Sequence, residues 1–146
     1  MRLVPLPARV EYLGPVSDAP LLLRLTGYRV CAGFPSPADD WIEAEIDLAK
    51  VLIVNPLATF LYRVAGASVR EAGIPDGSIV VVDRSREPKD GEVVLVTVNG
   101  EQSLKVFRKP GRLEFANAAM PAWPMHEADV IEIVGVVAYC ICEPGA

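Results

Sequence analysis

The sequence has few of the residues that build metal centres and disulfide frameworks. It contains three cysteines and one histidine, so Cys140 and Cys142 lack the second Cys or His pair that a four-ligand zinc site needs. We interpret these two cysteines as core residues and expect neither a metal nor another cofactor. The small, odd cysteine count excludes a secreted disulfide scaffold and is typical of a reducing, cytoplasmic compartment.

Long apolar runs and an excess of basic residues are also missing. Leu21, Leu22 and Leu23 are followed at once by Arg24, and residues 1–15 carry charges and three prolines, so neither a signal peptide nor a membrane anchor is predicted. The net charge is −5, from 14 Lys and Arg against 19 Asp and Glu. Because the basic residues are scattered, direct nucleic-acid binding is not expected, and any role near DNA requires a protein partner.

The remaining composition is that of one folded domain. Of the 146 residues, 51% are hydrophobic and 23% are charged, and the mean hydropathy is +0.31. This composition excludes a disordered chain. A domain of this length buries roughly 70% of the surface that its unfolded chain exposes, which is enough for a core.

The first 40 residues contain six prolines, a density that predicts an extended segment. We expect one short strand or helical turn in it, around Leu21 to Val30. Apolar residues then recur at helical intervals between Trp41 and Val54, which predicts a helix over the later half of that stretch. The helix must end before Asn55, because proline follows.

The rest of the chain is rich in β-branched and aromatic residues, and we predict a mainly β fold with one or two short helices. The predicted strands are Ala58–Val64, Ser78–Asp83, Glu92–Val98, Glu101–Phe107, Arg112–Phe115 and Val130–Cys142. The last of these is apolar enough for the core or a dimer interface, and we expect most of it to be core.

One hairpin can be placed in register from the sequence. Asn99-Gly100 between two alternating runs is typical of a two-residue turn, which pairs Val98 with Glu101. Counting back along both strands places Lys105 opposite Val94. Alternation alone favours a solvated face for Lys105, whereas burial would lower its pKa and give a neutral amine able to accept a proton.

Two candidate nucleophile systems can be compared. A Ser-His-Asp triad would have to use His126, which has no nucleophile motif near it. A Ser-Lys pair would use Lys105 and, as the serine, Ser68. On its own, the spacing of Ser68 and Glu71 is that of a capping box at the start of a short helix, and capping is favoured over catalysis.

Three motifs resemble, in the correct order, the UmuD-like proteins among the LexA-like self-cleaving serine peptidases. The first motif is Cys31-Ala32-Gly33-Phe34-Pro35-Ser36-Pro37-Ala38, followed by Ile46-Asp47-Leu48. The second is Gly66-Ala67-Ser68-Val69 with Ala72-Gly73-Ile74-Pro75-Asp76-Gly77. The third is Gly100-Glu101-Gln102-Ser103-Leu104-Lys105. The resemblance covers about residues 31 to 142.

The resemblance implies that Ser68 is the nucleophile, that Lys105 is its general base, and that the protein cuts its own Ala32-Gly33 bond. Ser103, two residues before Lys105 on the same strand face, would hold the lysine amine by a hydrogen bond.

Beside the serine, this chain departs from its relatives. They usually have Asp before and Met after it, where this chain has Ala67 and Val69. We expect both residues to shape the support of the nucleophile.

The resemblance also implies a division of the chain. Residues 1–32 would be an arm removed by autocleavage, and residues 33–146 a peptidase domain with a LexA- and signal-peptidase-like twisted β-sheet. Residues 33–40 would be a flexible segment after the cut. Ala32 and Gly33 have almost no side-chain bulk, and Pro35 and Pro37 favour an extended chain that suits a narrow site.

By the same resemblance, the partners would be a second copy of the chain in a homodimer, the RecA filament on single-stranded DNA, and an error-prone Y-family polymerase subunit. No membrane and no direct nucleic-acid contact are expected. Residues 1–32 are too few and too proline-rich for the helix-turn-helix of a repressor. Two alternatives stay open: a non-cleaving binding module of the same fold, and a mobile-element repressor or antirepressor.

Overall fold

The computed structural model describes residues 9–17, 19–26, 42–120 and 128–145. These residues form nine strands, one α-helix and the 3-10 helices Pro56–Ala58 and Arg70–Ala72. The strands are β1 Arg9–Pro15, β2 Leu22–Thr26, β3 Ile42–Asp47, β4 Thr59–Ala65, β5 Ile79–Asp83, β6 Val93–Val98, β7 Glu101–Arg108, β8 Arg112–Glu114 and β9 Ile131–Ile141, and the helix is α1 Leu48–Leu52.

The chain divides into two compact units, and the smaller one is residues 17–54. In it, β2 pairs antiparallel with β3. Asp47 ends β3 and caps α1, because its Oδ1 atom accepts from the backbone N–H of Ala49 at 3.1 Å and of Leu21 at 2.9 Å. The predicted helix in the later half of this stretch is confirmed. The earlier half is strand β3, since pairing with β2 outweighs the local helical spacing.

The larger unit joins residues 1–16 to residues 55–146 and contains a seven-stranded sheet in the order β1-β4-β5-β9-β6-β7-β8. All of its pairings are antiparallel. A further pairing, at Arg9 and Ser103, connects β1 at one end of this order with β7, the strand next to the other end. All six predicted strands are present, and the mainly β prediction is confirmed.

The predicted hairpin is confirmed residue by residue. Val98 lies opposite Glu101, and Lys105 lies opposite Val94. Asn99 and Gly100 have φ values of 50° and 85°, which is the left-handed pair that a tight turn between twisted strands requires. The short-range signal was therefore sufficient to place Lys105 in the sheet.

Strand β6 is covered on both faces, and this explains how the core is divided. On one side Leu95 packs in a cluster with Tyr62 and Leu104. On the other side Val94 packs in a second cluster with Val136. Successive residues of a strand point to opposite faces, so the Val-rich run of β6 supplies both clusters.

The N-terminal segment contains one strand that the sequence did not indicate. β2 agrees with the short strand expected around Leu21 to Val30, whereas β1 was expected only as extended arm. Its pattern is obscured by a glycine and a proline, and Pro15 is tolerated because β1 ends there. Pairing with β4, which is a tertiary contact, makes this segment a strand.

The C-terminal strand is less buried than expected. In β9 only Gly135 and Val136 are buried, and Ile133, Tyr139 and Ile141 are exposed. The expectation that most of this strand is core is therefore wrong, because β9 is longer than the strands beside it. Likewise Cys140 packs against the core and Cys142 is exposed, so the core interpretation is right for Cys140 and wrong for Cys142.

Candidate active site

The two residues proposed for catalysis are both buried. Ser68 follows β4 in the loop before the 3-10 helix Arg70–Ala72 and is 0% exposed. Lys105 lies in the middle of β7 and is 3% exposed. Polar residues are seldom buried so completely unless hydrogen bonds satisfy them. Among the described residues, no buried side-chain nitrogen or oxygen lacks a hydrogen-bond partner.

Ser68 does not cap the helix that follows it. The residue at the N-cap position is Val69, and the backbone N–H of Glu71, which a capping box would direct to Ser68, donates instead to the backbone oxygen of Ala116 at 2.8 Å. The capping interpretation is therefore wrong. The reason lies in the core: Val69 is 0% exposed and packs in the cluster that contains Leu104 and Val106, so the chain turns inward before the helix begins.

The solvated-face interpretation of Lys105 is also wrong. The lysine lies opposite Val94, and both faces of this hairpin are covered by the fold. Strand alternation shows which residues share a face, but it does not show whether another part of the chain covers that face. Burial lowers the pKa of Lys105 to about 8, because an apolar environment disfavours the ammonium form.

The lysine amine is held in a defined position. Its Nζ atom donates to Ser103 Oγ at 2.7 Å and to the backbone oxygen of Leu104 at 3.4 Å. The ring centroid of Phe115 lies 5.0 Å from the same nitrogen. The hydrogen bond from Lys105 to Ser103 is the one that the sequence analysis expected from their spacing along a strand.

Residues 115–117, just after β8, connect the lysine to the serine loop. Phe115 borders the Lys105 amine, and the next residue, Ala116, donates its backbone N–H to the backbone carbonyl oxygen of Ser68 at 2.7 Å. Asn117 Nδ2 then donates to the Ala67 oxygen at 2.7 Å. Ser68 and Lys105 are thus brought to the same short segment of chain.

A second connection runs through the core. Val69 shares a cluster with Leu104 and Val106, the two neighbours of Lys105 on β7. The backbone N–H of Gly66 donates to Asp76 Oδ1 at 2.8 Å, which anchors the start of the same loop. The serine loop is therefore attached to β7 on one side and to residues 115–117 on the other.

Sequence reasoning missed the role of residues 115–117. Phe115 was assigned to the end of a strand, and Ala116 and Asn117 were assigned to nothing. No periodic pattern or turn motif marks them. Phe115 contacts Lys105 across the β7-β8 hairpin, and Ala116 and Asn117 contact residues about 50 positions earlier in the chain.

Several predicted positions lie outside the described residues. Ala32 and Gly33 belong to residues 27–41, as do Cys31, Pro35 and Pro37, and His126 belongs to residues 121–127. In the described part of the chain, no group of three or more His, Cys, Asp or Glu residues is placed to hold a metal ion. No helix there is long and apolar enough to cross a bilayer.

Comparison with known proteins points to one family. Residues 24–138 match the family described as Peptidase S24-like. SamA of Salmonella typhimurium strain LT2 is 37% identical over 121 residues, which are 83% of each chain. ImpA of Salmonella typhimurium is 41% identical over 91 residues, 62% of this chain and 63% of ImpA. The LexA repressor of Leptospira biflexa is 35% identical over 135 residues, 87% of this chain and 66% of the repressor.

Proposed function

Because the chain belongs to the Peptidase S24-like family, a family of LexA- and UmuD-type serine peptidases, we propose that it cleaves itself with Ser68 as nucleophile and Lys105 as general base. One observation carries the proposal. A lysine that is 3% exposed, with a pKa lowered to about 8, borders the same segment that binds the backbone of a buried serine. Burying a lysine costs folding free energy, and titratable groups with pKa values shifted in this way cluster at functional sites.

The reaction is an acyl transfer. Neutral Lys105 accepts the hydroxyl proton of Ser68 while Ser68 Oγ bonds to the carbonyl carbon of the substrate. The tetrahedral intermediate then collapses, the C–N bond breaks, and the lysine ammonium gives its proton to the leaving amine. Water then attacks the acyl carbon while Lys105 takes a proton from that water; the ester C–O bond to Ser68 breaks, and Lys105 returns the proton to Ser68 Oγ. Backbone amides of the Ser68 turn stabilise the oxyanion.

Three neighbouring residues support this chemistry in the proposal. Ser103 fixes the position of the Lys105 amine through its 2.7 Å hydrogen bond. Val69 fixes the Ser68 loop, since its side chain is buried in the core, and Ala67 does so through its backbone oxygen, which accepts from Asn117. In this chain these contacts hold the serine loop at the two positions where relatives usually have Asp and Met.

The substrate in the proposal is the Ala32-Gly33 bond of the chain itself. Cleavage there separates residues 1–32 from residues 33–146. The small side chains on both sides of the bond suit a site built around two buried groups. On the family resemblance, the proposal also assigns stimulation of the reaction to the RecA filament on single-stranded DNA.

The biological role in the proposal follows from the same resemblance. The cleaved chain acts in the cytoplasm as a homodimer and as an accessory subunit of an error-prone translesion polymerase in the SOS response. The net charge of −5 supports contact with DNA through protein partners only.

A paired experiment separates this function from that of a non-cleaving binding module. The purified chain is incubated with activated RecA filament, and damage-induced mutagenesis is scored in cells carrying the wild type, Ser68→Ala, Lys105→Ala or the control Lys89→Ala. Lys89 is an exposed residue at a turn. We expect Ser68→Ala and Lys105→Ala to lose both the cleavage fragments and the damage-induced mutagenesis, and Lys89→Ala to keep both. A full phenotype from uncleaved Ser68→Ala would instead favour the binding module.

A further inference from the structure

The position of the proposed cut has a structural consequence. Residues 1–32 contain β1 and β2, whereas residues 33–146 contain β4 and β3, the strands with which they pair. A cut at Ala32-Gly33 breaks one peptide bond between β2 and β3 and leaves both ladders of backbone hydrogen bonds intact. The cut by itself therefore breaks none of the hydrogen bonds that join residues 1–32 to β3 and β4.

Strand β1 pairs with β4 from Phe60 to Ala65. Arg9 lies opposite Ala65 at one end and Pro15 lies opposite Phe60 at the other. Arg9 also pairs with Ser103 of β7. Without β1, β4 would present a row of unpaired backbone N–H and C=O groups, which is a template for another strand.

The side chains on this edge define what fits it. Glu11 of β1 lies opposite Arg63 of β4, so the register places opposite charges across the ladder. The Tyr12 ring lies 5.4 Å from the Tyr62 ring and 6.1 Å from the Phe60 ring. Cross-strand pairs of these two kinds stabilise antiparallel sheets and set their register.

We propose that residues 1–32 stay bound after the cut through β1, and that β1 leaves only when an extended segment of a partner protein takes its place on β4. That segment carries a carboxylate opposite Arg63 followed by an aromatic side chain packed on Phe60 and Tyr62. Strand addition to an open sheet edge is a common mode of peptide recognition. The proposal rests on the proposed function only for the position of the cut.

Strand β1 is the decisive contact of the bound arm. Two short ladders joined by a linker bind more tightly than either ladder alone. The β2-β3 pair has only two strands, and such pairs are marginally stable by themselves. Once β1 is displaced, the β2-β3 pairing alone is too weak to keep the cleaved arm bound, and residues 1–32 dissociate.

The first test makes the cut without using the peptidase activity. The recognition sequence of a site-specific protease is inserted after Gly33 in the Ser68→Ala chain, and the folded protein is cut with that protease. We expect native mass spectrometry and gel filtration to show one species containing both fragments, which separate only in denaturant. Fragments that part as soon as the chain is cut would overturn the proposal. This outcome is independent of whether the wild type cleaves itself.

The second test measures exchange on β4. A labelled synthetic peptide with the sequence of residues 8–17 is added to the cut protein, beside the same peptide with Glu11→Arg and Tyr12→Ala. We expect the native peptide to bind and to release the arm, and the altered peptide to bind about tenfold more weakly, since two cross-strand pairs are lost. If the two peptides bind equally well, or if neither releases the arm, the proposal that β4 selects a strand by these side chains is contradicted.

Two variants of the full chain test the role of β1 in retaining the arm without an added peptide. Glu11→Arg with Tyr12→Ala, placed in the full chain before cutting, should lower the fraction of arm retained after the cut. Glu87→Arg changes the same charge at an exposed residue outside β1 and β4 and should leave retention unchanged. If the two variants retain the arm equally, β1 is not what holds it.

Discussion

The amine of Lys105 donates a hydrogen bond of 2.7 Å to the hydroxyl of Ser103, two residues earlier on the same face of β7. Because Lys105 is only 3% exposed, water competes little for its amine. The hydrogen bond gives the amine one position, whereas a lysine side chain otherwise samples many rotamers. The arrangement leads to predictions that separate positioning from proton transfer.

Ser103→Ala should slow self-cleavage at its high-pH plateau by about tenfold, since one hydrogen bond to an ionisable group is lost. The same change should move the midpoint of the pH profile to lower pH, because the Ser103 oxygen stabilises the ammonium form. Ser103→Thr should restore both values. An unchanged midpoint would contradict a hydrogen bond from Lys105 to Ser103 in the reacting protein.

The rate of self-cleavage should rise with pH through a midpoint near the lowered pKa of Lys105, about 8. The sign follows from the mechanism: only the neutral amine accepts the Ser68 proton, and its fraction grows as pH passes the pKa. The measurement is the single-turnover rate from about pH 6 to about pH 11.5, which spans both the lowered and the ordinary lysine pKa. A midpoint near the ordinary lysine value of about 10.4 would mean that the amine is solvated when it reacts.

Asn117 gives a test of the segment that connects the two catalytic candidates. Its Nδ2 donates to the Ala67 oxygen at 2.7 Å, and its Oδ1 accepts from the Ala119 N–H at 2.9 Å. Asn117→Asp keeps the acceptor and removes the donor. We expect it to slow cleavage nearly as much as Asn117→Ala, with a cost in unfolding free energy of about 1 kcal/mol.

The opposite pattern would identify the other contact. If Asn117→Asp cleaves like the wild type while Asn117→Ala is slow, the turn to Ala119 matters and the support of Ala67 does not. Urea denaturation of both variants shows whether a lost rate merely follows lost stability.

Gly135 of β9 gives a test of the fold itself. A Cβ atom at this position would lie 2.8 Å from the backbone oxygen of Asp83 and 2.8 Å from Val82 Cγ1. Gly135→Ala should therefore destabilise the protein by about 1–3 kcal/mol, the usual cost of overpacking. Ala138→Gly on the same strand is the control and should cost less. Equal urea midpoints for Gly135→Ala and the wild type would contradict the close packing of β9 on β5.

Features set by neighbours in the chain could be predicted from the sequence. The turn at Asn99 and Gly100 fixes the register of β6 and β7, and that register places Lys105 opposite Val94. The strand signals after residue 58 are likewise local, because runs of Val and Ile favour strands wherever they pair.

Features set by distant contacts could not be predicted. The burial of Lys105 depends on what covers its face of the sheet, and strand alternation does not contain that information. Strand β1 exists through its pairing with β4, some 50 residues away. The roles of Ala116 and Asn117 arise in the same way, from hydrogen bonds to Ser68 and Ala67.

The candidate site was found in part from chemistry and in part from resemblance. Local sequence features mark Lys105 as the lysine with apolar neighbours and Ser68 as a serine at a loop-to-helix junction. By themselves they favour a solvated face for Lys105 and a helix cap for Ser68. The resemblance to the family favours a catalytic role for both residues. The structure agrees with the catalytic interpretation on burial and on the helix cap, since Lys105 is 3% exposed and the N–H of Glu71 donates to the backbone oxygen of Ala116 and not to Ser68.

The most direct test of the Ser68 and Lys105 assignment is the intact mass of the purified chain after incubation at about pH 10, where the amine of Lys105 is neutral. The wild type and the control Lys89→Ala should yield a fragment that begins at Gly33 and ends at Ala146. Folded Ser68→Ala and Lys105→Ala, checked by circular dichroism, should yield none. A wild type that stays intact, or variants that produce the same fragment at the same rate, would contradict the assignment.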